Sequence, residues 1–263
     1  MAGRERIWKG GGAMTQASSA PVDATLLTPD TMMVVAMARL LPNGERVFHG
    51  VASPLPMVAI LLAQHLHAPD LIYINITGGV NPLPESLPQT TVDPRLTHGS
   101  HVILRLADIF DMSARGDLDT AFLGGVQIDG QGRINMSVIG PYDHPKVRLP
   151  GGAGSAAILP TARRTIIWRT KHDPRTFVEK LSFVTAGGNV DRVVTPLCIF
   201  VRREGRLQLE SIHPYSSAEE VRQQTGFAVE TDGVPFTPAP TPEELTALAL
   251  VDPEKVRLVE FKG

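Results

Sequence analysis

"RVFHGVASPLPMVAILLAQHLHAPDLIYINITGGV", residues 46–80, is the stretch that decides the fold. It opens with a short apolar strand, RVFHG (46–50), and turns through Val51 and Ala52. Ser53-Pro54 then starts a helix, with a serine suited to the N-cap and a proline in the first turn, where its missing N–H costs nothing. The helix ends near His67. Leu71, Ile72, Tyr73, Ile74 and Ile76 read as a second strand over 71–76, closed at once by Gly78-Gly79 and Asn81-Pro82. Strand, helix, strand within about 30 residues is a βαβ unit, and strands joined in this way lie parallel in an α/β sheet. Loops at the carboxyl ends of such strands are where ligands bind. The tip at Asn75-Ile76-Thr77 carries neither a strong nucleophile nor a titrating acid.

On the N-terminal side, Thr28-Pro29 starts a helix with Met33, Ala36, Met37 and Leu40 at helical spacing, stopped by Pro42-Asn43-Gly44. On the other side, residues 80–100 form a proline-rich loop of the length that is usually functional or a lid. A helix is expected over 102–115. A strand over 120–129 turns through Gly130-Gln131-Gly132 into 133–139, and further strands follow at 164–170, 176–185, 192–200 and 206–212. Capping boxes at Ser217–Glu220 and Thr241–Glu244 start two more helices. The expected architecture is one α/β domain over 25–263, an open sheet with flanking helices and a hairpin-rich C-terminal half. Residues 1–24 read as a flexible leader, with Met14 as an alternative start. Glu179 is expected in a structural ion pair or hydrogen bond.

The 263 residues are 43% hydrophobic and 20% charged, enough for a sizeable core. A net charge of −2, with no blocks of like charge, leaves no basic face for nucleic acid. No run approaches the roughly 18 apolar residues of a membrane span, and the N-terminus lacks the apolar centre of a signal peptide. The single Cys198 excludes an internal disulfide and suits a small core residue in a strand. The expected location is cytoplasmic. Phosphate-loop, zinc-protease, C-x-x-C and G-x-S-x-G motifs are absent. His65 and His67 point to different sides of their helix, so no metal is expected.

Two glycine-bearing turns remain. In HGVASPLP (49–56), Gly50, Ala52 and Ser53 form a strand-to-helix turn whose N–H groups suit a carboxylate or phosphate; the alternative is a simple capped turn. In PGGAGS (150–155), Gly151, Gly152, Gly154 and Ser155 let the backbone approach a ligand or stabilise an oxyanion; the alternative is a flexible turn.

GVASPLPMVAILLAQHLHAPDLIY, DTAFLGGVQIDGQGRINMSVIG, RLPGGAGS, TFVEKLSFVTAGG, VTPLCIFV and SIHPYSSAEEVRQQTGF occur in one order along the chain. From about residue 28 to 254 this pattern resembles the β subunit of family I CoA-transferases, the glutaconate and 3-oxoacid group. The resemblance implies a NagB/RpiA/CoA-transferase-like fold and an α subunit of related fold, in a heterodimer or heterotetramer, with the active site between the two. It also implies an acyl-CoA substrate and no permanently bound cofactor, coenzyme A entering as part of the substrate. In that family a glutamate attacks the thioester, forming an anhydride and then a glutamyl-CoA thioester. Laid on INITGGV, the glutamate falls on Ile76, followed by Thr77 and Gly78.

An isoleucine cannot attack a thioester. The resemblance therefore implies one of three readings. The first is decarboxylation or hydrolysis of a glutaconyl-CoA-like substrate, preferred because an apolar residue suits a carboxylate that must be desolvated before it leaves as CO₂. The second is true CoA transfer with the carboxylate supplied by Glu85 or by the α subunit. The third is a non-catalytic scaffold subunit. On the first reading Ile76, Thr77 and Gly78 line the acyl pocket. Gly50, Ala52 and Ser53 hold the acyl carboxylate, and Gly151, Gly152, Gly154 and Ser155 form the oxyanion or CoA-thioester loop. Glu85 is the acid/base candidate. Ser53→Pro and Gly152→Val are expected to lower activity with the fold intact.

Overall fold

Thr28 and Pro29 start the first described helix where the sequence places it, α1 at Pro29–Arg39. The computed structural model describes residues 27–262; the expected leader over 1–24 and the start at Met14 lie outside the described residues. The βαβ unit follows as β1 (Arg46–His49), α2 (Pro54–Leu66) and β2 (Ile72–Asn75). The chain then forms β3 (Gly79–Val80), β4 (Val102–Ile103), α3 (Leu106–Ala114) and β5 (Thr120–Gly124). Short strands β6 (Gln127–Asp129), β7 (Ile134–Asn135), β8 (Val138–Ile139) and β9 (Val147–Arg148) lead to α4 (Ser155–Thr161). The C-terminal half holds β10 (Arg164–Trp168), β11 (Phe177–Val178), β12 (Val190–Val194), β13 (Cys198–Arg203) and β14 (Arg206–Ile212). Helices α5 (Ala218–Gln224) and α6 (Pro242–Val251) and a 3₁₀ turn at Val256–Phe261 complete it.

The main sheet has nine strands in the order β14-β13-β12-β10-β5-β1-β2-β3-β4. The five central strands, β12 to β2, are parallel; hairpins extend both edges antiparallel. The chain goes outward from β1 to β2, then crosses back to β5 on the other side of β1. That reversal is a topological switch point between β1 and β5, and in open α/β sheets ligands bind at the carboxyl ends of the strands beside such a point.

Strand alternation divides the core between the two faces. Val47 and Tyr73 point to one face, with Leu55, Ile60 and Trp168, under α1, α2 and α6. Phe48 and Ile74 point to the other, with Ile109, Ile158 and Phe200, under α3, α4 and α5. Helix α2 is buried from Pro54 through Ile60, which explains its almost uninterrupted apolar sequence.

Several expected elements are shorter. The helix expected from 102 starts only at Leu106, because Val102 and Ile103 pair with β3. The strand expected over 176–185 is confined to Phe177–Val178. The strand expected over 192–200 breaks at Pro196, which has no N–H to give. There the Thr195 hydroxyl oxygen accepts from the Leu197 and Cys198 amides and the chain reverses into β13. Thr241 and Glu244 form the reciprocal capping box. Ser217 caps the Glu220 amide, but the Glu220 carboxylate takes the Ser216 hydroxyl instead. Glu179 is exposed and makes no ion pair among the described residues. Cys198 is fully buried, and burial pushes its thiol pKa up. No helix among the described residues is long and apolar enough to cross a membrane.

Candidate active site

β1 and β2 end side by side, His49 opposite Asn75. The two turns singled out in the sequence, 50–53 and 76–78, therefore leave from adjacent strand ends at the carboxyl edge of the sheet.

His49 is completely buried, and burial pushes its pKa down to about 4, so the imidazole is neutral. Its partners fix the tautomer. The Ser53 hydroxyl donates to the Gly50 carbonyl at 2.6 Å, leaving a lone pair for His49 Nδ1–H at 2.8 Å. Nε2 is then bare and accepts the Tyr73 hydroxyl at 2.6 Å. Burial pushes the Tyr73 pKa up, so it keeps that proton. The Gly50 carbonyl also receives the Thr91 hydroxyl at 3.0 Å and His49 Nδ1–H at 3.2 Å. Three donors draw this carbonyl inward, and peptide planarity then points the Val51 N–H outward, away from them. Ala52 takes the left-handed conformation at φ +49°.

The first turn of α2 has no donor left for an external anion. Pro54 and Pro56 lack N–H groups, Leu55 N donates to the Glu260 carboxylate at 2.7 Å, and Met57 N to the Ser53 carbonyl at 3.1 Å. Ser53 N faces the Thr91 hydroxyl at 3.4 Å. Of the expected anion turn, the Gly50, Val51 and Ala52 amides make no hydrogen bond among the described residues.

Asn75 organises the second turn. Its Oδ1 accepts from Thr77 N at 3.0 Å, Thr77 Oγ1 at 2.5 Å and Gly79 N at 3.2 Å, while Nδ2 donates to the Leu96 carbonyl at 2.9 Å. Gly78 has φ +91°, and a Cβ there would lie 2.0 Å from the Leu104 carbonyl oxygen. Ile76 is half-buried against the apolar cluster of the second face, together with Leu104, Phe110 and Met136. The turn carries no carboxylate.

The glycine loop is separate. Gly151 N donates to the Met136 carbonyl at 2.7 Å, and Gly154 packs so closely on Phe110 that a Cβ would lie 2.9 Å from its ring. The loop thus shares the face of Ile76, but no hydrogen bond joins it to either turn among the described residues. The Ser155 hydroxyl is spent on the Gly152 carbonyl at 2.5 Å, so side-chain donation from this loop is blocked. Glu85 is exposed in the long loop, outside this hydrogen-bonded set. No group of three or more His, Cys, Asp or Glu side chains among the described residues is arranged to hold a metal.

The sequence reading missed His49, Tyr73, Asn75, Thr91 and Glu260. For His49 and Asn75 a signal exists, a polar residue closing an otherwise apolar strand. Thr91 and Glu260 reach the site from 38 and 205 residues away along the chain and leave no local trace.

The chain is similar to known proteins over most of its length. Residues 30–224 match the family described as Coenzyme A transferase. The chain is 35% identical to the B subunit of 3-oxoadipate CoA-transferase from Pseudomonas knackmussii, covering 84% of this chain and 92% of that one. It is 30% identical to the B subunit of glutaconate CoA-transferase from Acidaminococcus fermentans, covering 84% and 90%. Among solved structures, the decarboxylase AibA/AibB superposes with a TM-score of 0.83 at 31% identity, over 88% of this chain and 97% of that one.

Proposed function

The chain belongs to the coenzyme A transferase family, and from that premise we propose that it is the β subunit of a two-subunit acyl-CoA enzyme that has given up the covalent step and decarboxylates, or hydrolyses, a glutaconyl-CoA-like thioester. The observation that carries this reading is Ile76. It occupies the tip of β2 with its side chain packed among apolar neighbours, where a nucleophilic carboxylate would be needed for transfer.

Decarboxylation fits the groups present. The bond to the carboxylate carbon breaks, CO₂ leaves, and the electron pair passes through the conjugated system to the thioester oxygen. A proton then returns to carbon. An apolar wall favours the step because an ionised carboxylate loses its hydration there before its charge moves away. The outward Val51 and Ala52 amides are donors that can receive either the carboxylate or the developing oxyanion. The Gly152, Ala153 and Gly154 amides are the corresponding donors of the glycine loop. Coenzyme A arrives as part of the substrate, and an α subunit supplies the other wall of the site.

A second reading is true CoA transfer, favoured by the two CoA-transferase relatives at 35% and 30% identity. It requires a carboxylate from Glu85 or from the α subunit. Intact-mass analysis of the chain co-purified with its α subunit, after exposure to acetyl-, succinyl- and glutaconyl-CoA, separates the two. Loss of CO₂ or free thiol release from one acyl-CoA without an adduct supports the proposal. A CoA-sized adduct on either chain overturns it in favour of transfer.

A further inference from the structure

The strands that carry the two turns are joined in the protein interior by a hydrogen bond from β2 to β1, continued into the turn after β1. The Thr77 hydroxyl donates to Asn75 Oδ1, and Tyr73 lies two residues before Asn75 on β2, on the same face of the sheet. The phenol donates to His49 Nε2, His49 Nδ1–H to Ser53 Oγ, and the Ser53 hydroxyl to the Gly50 carbonyl. These last three donors point the same way, from Tyr73 on β2 to the turn after β1. Asn75, Tyr73, His49 and Ser53 are all buried. The His49 and Tyr73 rings also stack, with centroids 5.3 Å apart and planes 26° apart.

A fully satisfied buried chain of this kind stiffens what it connects, because each bond polarises the next and an interruption strands a polar group. Packing alone does not need it. Phenylalanine at 73 and an aliphatic residue at 49 would fill the same space without a polar atom. The loop over residues 81–100 is tied to the same chain at both turns, by the Thr91 hydroxyl on the Gly50 carbonyl and by the Leu96 carbonyl on Asn75. It is a fixed wall at these two points.

We propose that His49 and Tyr73 are a positioning pair for the acyl site, holding the Gly50–Ser53 turn and the Ile76–Gly78 turn at a fixed separation so that the outward amides of one face the apolar tip of the other. Neither residue touches substrate on this assignment; His49 acts through Ser53, and Tyr73 through the end of β2 that it shares with Asn75. The inference rests on the proposed acyl-CoA site for its functional consequence, while the coupling of the two turns stands independently of it.

The test uses the complex with the α subunit and the variants Tyr73→Phe, His49→Gln and His49→Leu. The first readout is amide hydrogen exchange, which needs no substrate. Tyr73→Phe removes one oxygen atom from β2, yet exchange is expected to accelerate about tenfold or more both at the hydrogen-bonded Ser53 and Met57 amides and at 76–79, with α6 and β14 unchanged. Acceleration at neither turn, or at 76–79 alone, overturns the coupling. The second readout is steady-state kinetics well below the unfolding temperature. A misplacement of this sort is expected to lower kcat by ~100-fold with KM nearly unchanged. His49→Gln, which keeps one donor and one acceptor, is expected to retain more kcat than His49→Leu at equal folded fraction. Wild-type kcat in Tyr73→Phe overturns the positioning role. A wild-type complex that consumes no acyl-CoA refutes the proposed function instead, and the exchange data still decide the coupling.

Discussion

Glu260, from the C-terminal 3₁₀ turn, accepts the Leu55 amide hydrogen at 2.7 Å and so supplies the anion that the start of α2 calls for. Its second oxygen accepts the Trp168 indole N–H, also at 2.7 Å. One carboxylate thus ties the C-terminal 3₁₀ turn, the helix of the βαβ unit and the end of β10 together. Glu260→Ala strands two buried donors and is expected to cost about 2–4 kcal/mol; Glu260→Gln, keeping one acceptor, is expected to cost less. Urea unfolding at neutral pH measures both. An unchanged midpoint for Glu260→Ala would mean that water replaces the carboxylate.

Stability is expected to fall in mild acid. Burial holds His49 and His213 down to about 4 and His172 down to about 3, against 6.5 in the unfolded chain. Between pH 6.5 and about 4 the unfolded state therefore binds protons that the folded state refuses, and stability drops as pH is lowered through that window. Glu260 works the other way, since burial raises its pKa and favours its protonated form in the fold, but it is one group against three. At ~1.4 kcal/mol per pKa unit, the loss from pH 7 to 5 is on the order of 5 kcal/mol. Equal urea midpoints at the two pH values would contradict the neutral, buried assignment of these imidazoles.

The βαβ unit was legible because its signals are local: serine and proline at the helix start, alternating apolar residues in the strands, and glycines after β2. The parallel sheet follows from it. The break at Pro196 and the short Phe177–Val178 strand were not legible, because those apolar runs pack in irregular backbone that only tertiary contacts specify. The candidate turns were found by their glycines. What holds them was hidden, since His49, Asn75, Thr91 and Glu260 act across sequence distance. The same contacts revise the expectation for Ser53. It is buried at φ −130° with both its amide and its hydroxyl engaged, so it belongs to the frame of the site.

Glycine substitutions should separate frame from loop. A Cβ at Gly78 meets backbone, the Leu104 carbonyl at 2.0 Å, in a left-handed conformation. A Cβ at Gly152 meets side chains instead, the Thr185 methyl at 2.7 Å and the Ser155 hydroxyl at 3.2 Å, at an ordinary backbone conformation. Gly78→Ala and Ser53→Pro are therefore expected to destabilise the chain by roughly 3 kcal/mol or more. Gly152→Ala should cost less than about 1.5 kcal/mol while changing kcat or KM for the acyl-CoA. Thermal unfolding beside activity of the complex gives the comparison. Equal loss of stability in Gly78→Ala and Gly152→Ala would show that the glycine loop is as rigid as the β2 tip.

Ile76→Glu tests whether residue 76 faces the reacting carbon, as the proposed loss of transfer chemistry requires. The new side chain would displace a half-buried isoleucine from an apolar cluster, at an expected cost of ~1–3 kcal/mol. If the tip of β2 faces the acyl carbon, the carboxylate attacks the thioester carbonyl and coenzyme A leaves as the thiolate. The thiolate then attacks the glutamyl carbonyl of the resulting anhydride, releasing the acid and leaving coenzyme A bound through a thioester. The expected result is a CoA-sized adduct on the variant chain in complex with its α subunit and none on the wild type, together with a fall in decarboxylation or hydrolysis. A folded Ile76→Glu chain that gains no adduct with any acyl-CoA would mean that residue 76 does not face the reacting carbon, and the apolar tip would lose its place in the proposed chemistry.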